Sequence, residues 1–151
     1  MSQSGRGGTD GGLDAASIAT EVADAPFVRV VARASGDAVA AAGLLGRVLA
    51  ARGTPFQVSV GRTIEDRTRR VEDASAGDVT VVVGDSRASD AVHLDPDDEP
   101  ASVAAWRLAG ELGATADSVL ALVGVAAAGV TPGAGSSARL VESAEAGGRL
   151  D

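Results

Sequence analysis

The chain has no cysteine, no tyrosine and no lysine: its 13 basic residues are all arginine, and its aromatic side chains are two Phe and one Trp. Without cysteine there are no disulfides, no thiol catalysis and no Cys-ligated zinc. With so few aromatics, the core must be built from interdigitated Val, Leu, Ile and Ala, which pack densely enough to form one. Long apolar runs are also missing. No stretch approaches the eighteen or more residues of a membrane span, and the start, Met1-Ser2-Gln3-Ser4-Gly5, has no hydrophobic signal core behind it. A cytoplasmic protein is therefore expected.

What is present in excess is acid. The 21 Asp and Glu give a net charge of −8. Phosphate binding is driven by Lys and Arg releasing counterions, so this balance argues against a general nucleic-acid footprint. Abundant carboxylates with no lysine fit a salt-loaded, halophilic cytoplasm, where surface acids hold hydration. The length of 151 residues fits a single domain. Residues 1–12 are Gly, Ser and Asp rich and read as a disordered leader, leaving 13–151 as the folded unit.

Along that unit, helical spacing appears over 13–23. Residues 27–32 form a β-branched run suited to a strand buried on both faces. Ser35-Gly36-Asp37 then gives a turn and N-cap before a helix over 38–52, and alternation at 56–60 predicts a second strand, completing a βαβ unit. The polar stretch 62–77 reads as a loop or surface helix, with Arg67, Arg69 and Arg70 on a solvated face. Residues 79–83 are the strongest strand and 91–94 a short fourth. Three helices follow, over 101–112, 116–128 and 136–146. The fold class expected is α/β, an open doubly wound, mostly parallel sheet with a C-terminal helical cap.

Ligands of parallel sheets bind at the carboxyl ends of strands. Asp37 follows the first strand and Asp85 the third, so neighbouring strands would bring two carboxylates together for a divalent cation. Either Asp also serves as a local cap. Gly84-Asp85-Ser86 with Asp90-x-x-His93 imitates a serine hydrolase. Its spacing speaks against it, because His93 lies only seven residues past Ser86 and no separate oxyanion donors are apparent. Gly133-x-Gly135-x-x-Ala138 imitates a dinucleotide loop but follows a helix, and a plain loop before the last helix explains it better.

The segment Arg33-Ala34-Ser35-Gly36-Asp37-Ala38, followed by an Ala-rich helix, resembles the first motif of the DHH phosphoesterases, His-x-Asp-x-Asp-Gly, and the chain is similar to the N-terminal domain of RecJ-like members over about residues 27–147. In that family the His and both Asp belong to a two-metal site that hydrolyses phosphodiesters. Here Asp37 matches the second Asp, Ser35 stands for the first and Arg33 for the His. Asp85 resembles the strand-end Asp of the second motif, and no Asp-His-His triplet follows.

The resemblance implies a catalytically degenerate relative in which Asp37 and Asp85 are vestigial metal ligands and Arg33 pairs with one of them in place of a cation. It implies a binding or scaffold role in DNA replication or repair, with GINS or other replication and repair proteins, or single-stranded nucleic acid, as partners. The alternatives are a minimal exonuclease or phosphoesterase using Mn²⁺ or Mg²⁺ at Asp37 and Asp85, and a truncated fragment without a function of its own.

Overall fold

The computed structural model describes residues 11–94 and 97–150. Most of the expected leader lies outside the described residues, but Gly11 and Gly12, assigned to it by composition, open the first helix. The elements are α1 (Gly11–Ala23), β1 (Val28–Arg33), α2 (Gly36–Arg52), β2 (Phe56–Gly61), α3 (Ile64–Glu72), β3 (Val79–Val83), β4 (Val92–Leu94), α4 (Ala101–Glu111), α5 (Ser118–Ala127) and α6 (Ala138–Ala146). A short 3₁₀ turn, Gly135–Ser137, leads into α6, so the Gly133 to Ala138 segment is a connection between helices.

The four strands form one parallel sheet in the order β2-β1-β3-β4. β1 and β3 are its centre, with Val28, Val30 and Ala32 level with Val79, Val81 and Val83. Both are Val-rich because both faces are covered, which removes the need for polar alternation. The step from β1 to β2 runs one way through α2 on one face. The step from β2 to β3 runs back over β1 through α3 on the other face, as right-handed crossovers require. The direction therefore reverses between β1 and β3, and the crevice beyond their carboxyl ends is where a parallel sheet presents its ligand site.

The two faces are unequal. Val28, Val30, Ala32, Val81 and Val83 belong to the main core with α1, α2, α4, α5 and α6, whereas Val31 and Val82 meet only Val71 of α3 and the loop residues Ala88 and Ala91. The helical cap forms a second layer on the main side, where α5 packs on α2 and α4, and α6 packs on α5. β2 is an edge strand, and Phe56, Val58 and Val60 remain exposed on it.

Close approach of the helices rests on small residues. A Cβ on Gly124 would lie 2.5 Å from the Cβ of Ser102 and 3.0 Å from that of Ala40, whereas a Cβ on Gly110 would meet nothing within 4 Å. The same substitution therefore has opposite signs at the two sites. Gly124→Ala is expected to destabilise by about 1–3 kcal/mol through overpacking, and Gly110→Ala to stabilise by about 0.5–1 kcal/mol through backbone entropy. Urea denaturation of both variants checks this; equal shifts would refute the three-helix contact.

Candidate functional site

The crevice is built by the turns that leave β1 and β3. Ser35 adopts an extended backbone, and its Oγ accepts the Ala38 N–H at 3.2 Å, which caps α2. Its own N–H donates to the Arg33 carbonyl at 2.9 Å. This is the ordinary chemistry of a serine N-cap, satisfying a donor that the first helical turn leaves free.

Asp37, two residues into α2, is only 7% exposed. Its carboxylate accepts the Ala101 N–H at 2.7 Å and the Ser102 N–H at 2.9 Å, one on each oxygen. Those are the first N–H groups of α4. Pro100 precedes them and offers no side-chain cap, so Asp37 caps α4 from 64 residues away. A carboxylate at a helix N-terminus is further favoured by the macrodipole.

Asp85, half-exposed, follows Gly84 at the end of β3 and is held by Arg67 of α3. Arg67 is 3% exposed. Its Nη2 donates to Asp85 Oδ1 at 2.6 Å, its Nε to the Asp85 carbonyl at 2.7 Å and its Nη1 to the Gly61 carbonyl at 2.9 Å. Gly61 has to be glycine for this, since a Cβ there would stand 2.6 Å from Arg67 Cγ. Partial burial works to raise the Asp85 pKa. Its own backbone N–H, the Arg67 bond and the charges of Arg67 and Arg33 outweigh burial and hold it below the usual carboxylate range.

Arg67 is thus not on a solvated face: it is a buried cross-link between the ends of β2 and β3. Arg70 pairs with Asp66 one turn away, and Arg69 is exposed. Arg33 packs beside Gly84 and, among the described residues, forms no ion pair with Asp37 or Asp85. The guanidinium that meets Asp85 comes from α3 instead.

The spacing argument against Ser86 and His93 does not survive. Ser86 Oγ and His93 Nε2 lie 2.8 Å apart. β4 is the parallel neighbour of β3, and the loop after β3 folds back along the sheet, so seven residues suffice to close the contact.

No family model matches the sequence. An uncharacterized protein of Haloarcula marismortui is 42% identical over 116 residues, a match covering 77% of this chain and 29% of that protein. The crystal structure of exonuclease RecJ bound to manganese superposes with a TM-score of 0.57 at 21% identity, over 90% of this chain and 47% of the other. The chain carries a RecJ-like fold. It spans less than a third of the length of the curated relative and about half of the RecJ chain.

That RecJ structure was determined with manganese; the residues of the crevice beyond β1 and β3 of this chain do not fit a two-metal site. A two-metal site needs several carboxylates or imidazoles around cations about 4 Å apart. Among the described residues no group of three or more His, Asp or Glu side chains could hold a metal. Asp37 is committed to two helix N–H groups and Asp85 to a guanidinium, so positive charge of the protein's own already meets both carboxylates.

Two outcomes follow. Asp37→Ala removes the acceptor of two buried N–H groups and is expected to cost about 1–3 kcal/mol, and Asp37→Asn, which keeps one acceptor oxygen but turns an NH₂ donor toward the other N–H, is expected to be destabilised as well; thermal denaturation reads both, and an unchanged midpoint in either would contradict a capping role.

Asp117 supplies the second, pH-dependent outcome. It caps α5 through Val119 and Leu120 N–H. The Leu120 N–H, against the opposing effect of burial, together with the charges of Arg149 and Arg47, lowers its pKa from the ordinary 3.8. A depressed folded-state pKa contributes stability above the unfolded value that is lost as pH falls through the folded one. Asp117→Asn should therefore lose less stability than the parent between about pH 5 and about pH 2, as urea midpoints at each pH would report.

Proposed function

We propose that this chain is a RecJ-like module that works by binding, as a scaffold in DNA replication or repair, and has no two-metal phosphoesterase chemistry. The observation that carries this reading is the commitment of both crevice carboxylates, Asp85 to the buried Arg67 and Asp37 to the N-terminus of α4. Asp37 cannot turn to a cation without abandoning the bonds that join α2 to α4, and Asp85 already shares its Oδ1 with the buried Arg67 guanidinium.

The partner class follows from charge. A net charge of −8 opposes counterion-driven attachment to a nucleic-acid backbone. A protein partner is therefore favoured over single-stranded nucleic acid, and GINS or another replication or repair protein is the partner we propose to test. The competing reading, a minimal exonuclease using Mn²⁺ or Mg²⁺ at Asp37 and Asp85, is supported by the fold of a nuclease and by no ligand cluster among the described residues.

One experiment separates them. Folded protein is titrated with Mn²⁺ in high-salt buffer while bound metal and degradation of a labelled single strand are followed. The binding reading expects neither tight metal binding nor turnover, and no difference in Asp85→Asn. Metal-dependent degradation that disappears in Asp85→Asn overturns it.

A further inference from the structure

A second chemistry lies on the other side of the sheet. His93 is level with Val82, and Val82 faces α3 and the loop after β3, so His93 stands on that side, away from α2 and α4. His93 is exposed and Ser86 half-buried, so solvent reaches the pair. Ser86 Oγ and His93 Nε2 are 2.8 Å apart, within the reach required of a nucleophile and its general base. The Ala88 N–H donates to the same Oγ at 3.3 Å, which fixes the oxygen against the turn. Gly84, at φ 122°, supplies the left-handed backbone that lets the chain leave β3 and bring Ser86 back over the sheet.

We propose that Ser86 is a nucleophile activated by His93, accepting the acyl group of small activated esters. With the imidazole proton on Nδ1, Nε2 takes the Ser86 hydroxyl proton as Oγ bonds to the carbonyl carbon. Collapse of the tetrahedral adduct breaks the bond to the leaving group, which departs as a phenolate while the imidazolium returns its proton to solvent. Acetyl-Ser86 remains. Water, deprotonated by the same Nε2, then adds to the ester and releases acetate, restoring the hydroxyl.

The geometry also sets the magnitude. General-base assistance of this kind is worth about 10²–10⁴ in rate. Among the described residues, the two N–H groups of the turn after Ser86 are not free for the oxyanion, because the Arg87 N–H is taken by Thr68 Oγ1 and the Ala88 N–H by Ser86 itself. Oxyanion donors contribute about 10²–10³ each where they exist. Acylation should therefore be measurable and turnover slow, with acetyl-enzyme accumulating.

This inference stands apart from the binding role and from the crevice, since it needs neither metal nor Asp85. The probe is p-nitrophenyl acetate with the full chain, followed by phenolate release and by peptide mass mapping. The expected result is one acetyl group on Ser86, absent in Ser86→Ala, with acylation about 100-fold slower in His93→Gln; both variants should keep the parent's circular dichroism. His93→Gln covers the case in which Ser86→Ala disturbs the turn. Acetyl groups scattered over other side chains, or equal rates in parent and His93→Gln, overturn the proposal. Chelator added throughout leaves the expected result unchanged, whereas loss of acylation with chelator also overturns it.

Discussion

The arrangement at the carboxyl end of the sheet depends on the carboxylate of Asp37. α4 begins after a proline, which sets the entry angle of a helix but whose side chain cannot accept from the first two N–H groups, those of Ala101 and Ser102. Those donors are buried, and a buried N–H without an acceptor costs about 1–3 kcal/mol. Asp37 meets two of them from the first turn of α2, and so fixes the relative height of the two helices that cover β1 and β3. Because the bond spans 64 residues, it closes the main core and is not merely a local cap.

Arg67 performs the matching task on the other face. A buried guanidinium is tolerated only where its donors find acceptors, and here Nε, Nη1 and Nη2 are each engaged. Two of the three acceptors are backbone carbonyls, that of Gly61 at the end of β2 and that of Asp85 just past β3. The third is the Asp85 carboxylate, half-exposed, so its attraction to Arg67 is partly screened by water and the carbonyl bonds weigh more in the balance. Arg67 is therefore best understood as the pin of the β2 and β3 termini, with Asp85 as its charge partner.

The regular elements could be read from the sequence because their signals are local. The Val run at 79–83 and the β-branched run at 27–32 announce buried parallel strands, and the observed limits differ by a residue at most. The polar stretch after residue 62, left open between loop and helix, is α3, started by Thr63 accepting the Asp66 N–H. What could not be read depends on partners far apart in the chain. Asp37 looks like a metal ligand or a cap for its own helix until Ala101 is placed beside it. Arg67 sits among acids and other arginines, as a solvated residue does; Gly61, six residues earlier, was the available sign that something large packs against the strand end. The seven residues between Ser86 and His93 speak against a contact in the sequence alone, and the parallel pairing of β3 with β4 is what brings the two side chains together.

These bonds bear on how the crevice of this fold balances the charge of its two acids. A cluster of carboxylates evolved around two cations is unstable when the cations are missing, since like charges then face each other in a poorly hydrated cleft. Here each acid meets fixed positive charge from the chain itself, a guanidinium for one and a helix N-terminus for the other, so the fold needs no ion to balance them. The sheet also carries an exposed apolar edge at Phe56, Val58 and Val60 on β2, whose last residue, Gly61, gives its carbonyl to Arg67.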